Sequence, residues 1–373
     1  MRTKLCDLLS CEFPVVAFTH CRDVVAAVTN AGGYAVFGAT SHTPESLEVE
    51  LRWIDDHTGG KPYGIDILIP AKYEANRGRS DVEQQLPAAH VEFVDHLMEK
   101  YDVPPLPEGH ALYKGLRAEN AADKARELID VAFRHPIGLF ASALGTPPAD
   151  VIERAHQKGA VVAALAGKPR HAEKHRDAGV DFVVAQGYEA GGHTGEITTM
   201  VLVPDVVDAV APLPVVAAGG IASGRQMAAA VALGAAGVWT GSMWLATEEA
   251  ETHPMVQKIM LRASSSDTLR SRCITGKTVR VLRSAWTDEW ESPDTPDPLP
   301  MPLQSTLVSE ARARIANSAN TEGSGPSRLI TNPCGQVVGR LNAVKPARQM
   351  LLEMVEEYAD VVSQFAALAA AVV

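Results

Sequence analysis

One pattern recurs along the chain and limits the folds open to it. A polar or alanine-rich stretch ends at a glycine, and a short apolar run begins within three residues. The clear copies cover residues 30–37, 158–163, 178–184 and 233–239. Glycine suits the left-handed position that closes a helix, and a short continuous apolar run is typical of a parallel strand buried on both faces. The repeat therefore predicts helices and parallel strands in alternation.

The apolar runs predict eight strands, and their number decides the fold class. The strands are expected near residues 14–18, 34–38, 63–69, 137–142, 160–165, 182–186, 214–218 and 237–241. Eight successive strand-helix units indicate a closed (β/α)₈ or TIM barrel. A doubly wound open sheet is the alternative, and it places a glycine-rich loop after its first strand. Here Phe18-Thr19-His20-Cys21 follows that strand and the glycine-rich loops come late, which favours the barrel.

Two regions interrupt or follow the repeat, and they define the predicted organisation. We expect a barrel over residues 1–250 with an insertion over 71–136, between strands three and four. A cap or substrate segment over 251–344 and a closing C-terminal helix over 345–373 follow. Further helices are predicted near residues 83–101, 119–134, 254–263, 305–316 and 345–368.

Charge and composition exclude several classes of function. The chain has 34 Lys and Arg residues against 45 Asp and Glu, a net charge of −11. Such an acidic surface does not attract nucleic acid or an anionic membrane. The sequence has no apolar segment of 18 residues and no signal-peptide core at its start, so we expect a cytoplasmic protein. None of the five cysteines lies in a C-x-x-C pair, which predicts reduced thiols.

The loop after predicted strand six carries the clearest candidate for catalysis. It runs from Gln186 to Gly195 and contains four glycines, among them Gly191 and Gly192. Glycines at this density permit positive φ and let backbone N–H groups approach a ligand. Barrel active sites lie at the carboxyl ends of the strands. His193 in this loop is therefore the predicted general base.

Glycines also follow predicted strands seven and eight, where this fold often binds phosphate. Ala218-Gly219-Gly220 follows strand seven, and Gly241-Ser242 follows strand eight. The sequence has no H-x-x-x-H, H-E-x-x-H or G-x-S-x-G motif, so we predict no metal site. These features indicate a phosphate-bearing cofactor or substrate beside a histidine. Flavin mononucleotide (FMN) would fit, and a sugar phosphate remains open.

Several motifs together resemble a known enzyme family. They are residues 186–195, the Thr198-Thr199-Met200 run, residues 217–222 and residues 240–248, with weaker matches around 14–69, 275–280 and 335–339. These stretches resemble the nitronate monooxygenases, formerly called 2-nitropropane dioxygenases, which use FMN. They are also similar to the flavin-dependent enoyl-acyl-carrier-protein reductases, which share the fold.

The resemblance implies a flavin at the barrel mouth and a role for each matching residue. Its phosphate would lie on Ala218, Gly219, Gly220, Gly241 and Ser242. The remaining expected cofactor contacts are Gln186, Gly191 and Gly192, with Ala17, Phe18 and Asp66 at the ends of strands one and three. His193 matches the family's catalytic histidine and would position the substrate or deprotonate a nitroalkane. The family usually has Ala-Pro-Met where this chain has Ala17-Phe18-Thr19, and Asn where it has Asp66.

The expected activity is the FMN-dependent oxidation of alkyl nitronates or nitroalkanes by O2 to a carbonyl compound and nitrite. One alternative is an NAD(P)H-fed reductase of acyl-thioester double bonds, which Thr198–Met200 and the insertion favour. A second alternative, from another class, is a non-catalytic flavin-binding sensor. The partners expected are thus a small substrate, either a nitronate or an acyl thioester, with O2 or NAD(P)H. A homodimer is compatible with the sequence.

Overall fold

The computed structural model describes residues 2–69, 82–108 and 121–371, and its centre is a closed barrel of eight parallel strands. The strands follow one another around the barrel in chain order, and a two-residue strand, β7 Gly192–His193, lies outside it. The strands are β1 Val15–Thr19, β2 Tyr34–Gly38, β3 Tyr63–Asp66, β4 Ile137–Ser142, β5 Val161–Ala166, β6 Phe182–Gln186, β8 Val215–Ala218 and β9 Gly237–Thr240. The predicted (β/α)₈ barrel is confirmed.

Helices surround the barrel and connect its strands. They are α1 Lys4–Leu9, α2 Arg22–Asn30, α3 Pro44–His57, α4 Ala88–Lys100, α5 Ala121–Ala132, α6 Ala149–Gln157, α7 Pro169–Ala178, α8 Thr199–Val210, α9 Gly224–Ala232 and the C-terminal α15 Ala347–Ala370. Helix α15 packs along α9 and α2. No helix in the described part of the chain is long and apolar enough to cross a membrane.

Strand alternation divides the core into two layers. One layer lies inside the barrel and includes Val16, Val36, Leu139, Val184 and Trp239. The other lies between the strands and the surrounding helices and includes Val15, Phe37 and Ile65. Because neighbouring residues of a strand face opposite sides, this division determines which strand ends point into the mouth.

The helix-closing glycines adopt the predicted conformation. Gly32, Gly159, Gly179 and Gly234 have φ values of 98°, 74°, 91° and 98°. All eight predicted strands exist, and the third is shorter than expected because its pairing ends at Asp66 rather than at residue 69.

The helix expected over 305–316 is divided into two at Val308, and the helix expected over 83–101 begins at Ala88 in the structure. Parts of the predicted insertion 71–136 lie outside the described residues.

The segment after the barrel returns to the mouth through a small sheet. Its elements are α10 Pro254–Met260, β10 Thr268–Ser271, β11 Val279–Leu282, α11 Ala285–Trp290, α12 Leu303–Leu307, α13 Ser309–Ser318 and α14 Gly325–Leu329, with 3₁₀ helices at Ser242–Ala246 and Gln336–Arg340. Strand β11 pairs antiparallel with β10 and with β7, the two-residue strand Gly192–His193. The loop after β6 is thereby attached to the segment that follows the barrel.

Candidate active site

Four of the predicted site residues converge at the barrel mouth. Phe18, Asp66, Gln186 and Ala218 are at or near the carboxyl ends of β1, β3, β6 and β8. Each side chain faces the barrel interior, because the residue lies two positions after an inward-facing residue of the same strand. Ala17 does not join them, because its side chain is buried on the outer side of the barrel wall against the helices.

The glycine-rich loop after β6 is folded tightly against its surroundings. A Cβ on Gly191 would lie 2.7 Å from the backbone nitrogen of Gly335, so only glycine allows these two segments to approach. Gly192 has φ of 77°, and a Cβ there would meet no atom within 4 Å. The loop therefore combines a packed side with a face open to a ligand.

His193 is held with one ring nitrogen occupied. Its Nδ1 lies 3.2 Å from the carbonyl oxygen of Thr278. A carbonyl only accepts, so Nδ1 carries the proton and Nε2 is left as the acceptor. Burial lowers the pKa of the imidazole, and the positive charge of Lys277 lowers it further against the opposing effect of the Thr278 hydrogen bond. His193 is thus neutral at neutral pH, as a general base must be.

The two glycine loops after β8 and β9 present backbone where a phosphate group is expected. Gly219 and Gly220 have φ values of 94° and 72°. A Cβ on Gly219 would lie 2.9 Å from the carbonyl oxygen of Gly187, whereas a Cβ on Gly241 would face open space. The Ser242 hydroxyl accepts a hydrogen bond of 2.8 Å from the Gly335 N–H and also interacts with the Cys334 thiol.

A cavity of about 330 Å³ borders the Gly219-Gly220 turn, and helices α8 and α9 also contribute to its lining. Glu189 and Arg340 contribute charge of both signs to its wall. The Glu189 carboxylate accepts hydrogen bonds from the N–H and the hydroxyl of Thr199, at 2.9 and 2.8 Å. This carboxylate therefore caps the first turn of α8.

Asp66 is a buried carboxyl with little to stabilise its charge. Only 4% of the residue is exposed. Its Oδ1 accepts one hydrogen bond of 3.1 Å from the Ala143 N–H, and no salt bridge involves it among the described residues. Burial raises the pKa of the carboxyl to about 7, against the smaller opposing effect of that hydrogen bond.

The sequence reasoning included Phe18 but missed the two rings that pack against it, those of Trp239 and His20. The ring of Phe18 stacks on Trp239 at a centroid distance of 6.3 Å, and His20 packs edge-on against Phe18 at 5.1 Å. His20 donates from Nδ1 to the carbonyl oxygen of Gly38 at 2.9 Å. Burial lowers its pKa and that of His42 after β2. The signal was available, since each histidine lies within four residues of the end of a predicted strand.

Arg280 attaches the glycine-rich loop to the small sheet. The resemblance included this residue but assigned it no role. It is 2% exposed, and its guanidinium donates two hydrogen bonds, of 3.2 and 3.0 Å, to the carbonyl oxygen of Tyr188. It also lies over the Tyr188 ring, 4.5 Å from its centroid. Arg280 thus positions the loop that carries His193.

One cluster among the described residues has the composition of a metal site. Potential ligand atoms of Cys21, Asp23 and Glu251 lie within 4.8 Å of one another. The Cys21 thiol, however, donates to the carbonyl oxygen of Glu249 at 3.0 Å, and burial raises its pKa. A protonated thiol is a poor metal ligand, so this cluster does not change the prediction that no metal is bound.

Comparison with known proteins gives consistent matches over the whole chain. A model of the family described as nitronate monooxygenase matches residues 2–357. The Mycobacterium tuberculosis protein Rv1533, which bears a monooxygenase name, is 56% identical over 368 residues, covering 98% of each chain. A Staphylococcus aureus protein named a probable nitronate monooxygenase is 26% identical, covering 91% of this chain and 96% of its own.

Two solved structures are similar over nearly their full length. Nitroalkane oxidase from Streptomyces ansochromogenes superimposes with a TM-score of 0.79 at 26% identity, covering 97% of this chain and 99% of that one. FabK from Thermotoga maritima gives a TM-score of 0.74 at 26% identity, with 99% of both chains covered.

Proposed function

The chain belongs to the nitronate monooxygenase family, and we propose that it is an FMN-dependent enzyme that oxidises alkyl nitronates or nitroalkanes with O2 to a carbonyl compound and nitrite. Membership of this family makes the chain an oxidoreductase, which disfavours the non-catalytic sensor. The observation that carries the proposal is the meeting of two features at one barrel mouth. They are a neutral histidine in a glycine-rich loop and a pair of glycine turns suited to a phosphate.

The residues present fit FMN. Gly219 and Gly220 form a turn with positive φ, Gly241 borders open space, and the backbone N–H groups of these turns lie beside the Ser242 hydroxyl. Oriented backbone amides of this kind bind anions. Phe18 and Trp239 offer an aromatic surface at the mouth, suited to a flat ring. Phosphate binding would thus be assigned to the ends of β8 and β9, and ring binding to Gln186, Gly191, Gly192, Phe18 and Asp66.

The chemistry that a bound flavin supplies is acceptance of an electron from the anionic substrate. His193 then has two tasks that its geometry supports. With Nδ1 donating to Thr278, Nε2 can take the proton from the carbon atom of a neutral nitroalkane. After protonation it can hold the nitronate oxygens by a charge-assisted hydrogen bond. Lys277 adds positive charge near this histidine and attracts an anionic substrate.

Product analysis tests this function. Purified protein reconstituted with FMN is incubated with an alkyl nitronate in air, and O2 uptake, nitrite and carbonyl product are measured together. We expect nitrite and carbonyl compound in equal amounts, with turnover that depends on FMN. Absence of nitrite from every alkyl nitronate tested, with FMN bound, would contradict the assignment.

The second candidate is an NAD(P)H-dependent reductase of acyl-thioester double bonds. The Thr198-Thr199-Met200 run and the insertion between β3 and β4 favour it, because a larger insertion suits a larger substrate. It requires NADH or NADPH to reduce the bound flavin. Oxidation of a nitronate by O2 requires neither NADH nor NADPH.

A further inference from the structure

We propose that Asp66 meets the flavin as a neutral carboxylic acid and donates a hydrogen bond to it. This inference rests on the proposed flavin at the barrel mouth. It adds the protonation state of one contact and, with it, a pH dependence of cofactor affinity.

Asp66 is the last residue of β3 and points into the mouth. Tyr63 and Ile65 of the same strand are buried outside, against the helices. A Cβ on Gly64 would instead touch Val36 and Leu139, which are barrel-interior residues. Alternation therefore directs Asp66 inward, at the level where β3 ends and a ligand can lie.

Among the described residues, the surroundings of Asp66 do not compensate a negative charge. An ionised carboxylate removed from water is costly unless it is paired and hydrogen-bonded. Here the 4%-exposed residue has the Ala143 N–H as its hydrogen-bond donor. The inward positions of the adjacent strands β2 and β4 hold Gly38 and Ala141, which bring no charge. The proton is the remaining way to neutralise the group.

In the part of the chain that the structure describes, the other titratable groups at this mouth do not supply the missing positive charge. His20 follows β1 and His42 follows β2, and burial keeps the pKa of each below its usual value. His193, in the loop after β6, is likewise neutral. Lys168 follows β5 and is partly exposed to solvent. Burial raises the pKa of Asp66, and none of these four groups offsets this with a positive charge.

A neutral carboxylic acid is a hydrogen-bond donor as well as an acceptor. The ring system of a flavin carries carbonyl oxygens and ring nitrogens that accept hydrogen bonds. Protonated Asp66 could donate to one of them, whereas the carboxylate would present a negative charge to the same atoms. Because only the protonated form makes the contact, raising the pH above about 7 should weaken flavin binding.

The test measures affinity and does not require turnover. Apoprotein is titrated with FMN by fluorescence quenching between pH 6.5 and 8.5, for the natural chain, for Asp66→Asn and for Asp56→Asn. The amide of Asn is a donor at every pH. Asp56 is exposed on α3 and supplies the matched control. We expect the Kd of the natural chain and of Asp56→Asn to rise about tenfold between pH 7.5 and 8.5, and that of Asp66→Asn to stay level.

A second measurement keeps the inference testable if Asp66→Asn fails to fold. Calorimetry of FMN binding to the natural chain at pH 8, in two buffers of different ionisation enthalpy, counts the protons taken up. We expect close to one proton per FMN. No proton uptake, a level Kd in the natural chain, or loss of FMN binding by a folded Asp66→Asn would overturn the inference. If neither the natural chain nor Asp56→Asn binds FMN at any pH, the proposed function itself fails.

Discussion

The two ends of the candidate flavin site differ in which part of the chain forms them, backbone at one end and mainly side chains at the other. The phosphate end, after β8 and β9, consists of backbone at Gly219, Gly220 and Gly241 with one hydroxyl from Ser242. The ring end depends mainly on side chains, which are Phe18 stacked on Trp239, the buried Asp66, and Gln186, with the backbone of Gly191 and Gly192 beside them. A site made of backbone tolerates few substitutions at its glycines, because it depends on their conformation. A site formed by side chains can change its chemistry by a single substitution. Position 66 is an example, because this chain has Asp where the resemblance implies Asn.

The largest effect is expected at His193, the side chain proposed as the general base. His193→Asn should keep the flavin and lose turnover by roughly 10²–10⁴-fold, since it removes a general base without touching the phosphate loops. Steady-state nitrite release from a neutral nitroalkane and flavin content are measured together. The control is His156→Asn, because His156 pairs with Asp181 elsewhere on the surface. Unchanged turnover in His193→Asn would remove His193 from the mechanism.

The next effect tests the backbone end. Gly219→Asp should weaken FMN binding by about 100-fold or more. The left-handed backbone costs a non-glycine residue about 1–3 kcal/mol, the new Cβ crowds the Gly187 carbonyl, and the new charge repels phosphate.

Gly159→Asp is the matched control for Gly219→Asp. Gly159 also has positive φ, but a side chain there meets open space. Equal loss of flavin affinity in the two variants would show that backbone strain, and not the phosphate site, explains the effect.

A pH profile extends the comparison to His193. Burial lowers the pKa of this imidazole, and the active form is neutral, so kcat/KM should fall as the pH drops through that lowered pKa. The expected fall is about tenfold per pH unit, and it begins below the usual histidine value of about 6.5. The substrate is added as the neutral nitroalkane, whose carbon atom must lose a proton to the base, at saturating FMN. A profile that already falls between pH 8 and 7 would contradict a neutral His193.

The smallest effect is expected where a side chain assists the backbone. Ser242→Ala removes one neutral hydrogen bond, worth about 1 kcal/mol, and should raise the Kd for FMN by less than tenfold. The same titration that reports on Gly219→Asp measures it. A loss as large as that of Gly219→Asp would mean that the hydroxyl, and not the backbone, dominates phosphate binding.

The same contrast explains what the sequence could predict. The glycines that close helices and the apolar runs that follow them were enough to predict all eight strands. Each of Gly32, Gly159, Gly179 and Gly234 has one role, which is to adopt a positive φ at the end of a helix. The glycine turns and the loop of His193 were recognisable for the same reason. Ala17 was assigned to the site although its side chain faces outward, because the true register of β1 inside the barrel depends on pairing with β2 and β9.

Contacts between distant segments were outside what a local pattern can predict. Arg280 can hold the His193 loop because its strand, β11, pairs with β7. Strand β11 begins 87 residues after β7 along the chain. The burial of Asp66, with no countercharge from the described residues, follows only from the positions of β2 and β4 on either side of β3.

One measurement tests the central claim most directly. The FMN absorbance of the purified holoprotein is followed without oxygen after addition of an alkyl nitronate, with NADH and NADPH in parallel samples. We predict that the nitronate alone bleaches the flavin and that air restores its colour. Rapid bleaching by a nicotinamide with none by the nitronate would contradict the nitronate oxidase and favour the acyl-thioester reductase.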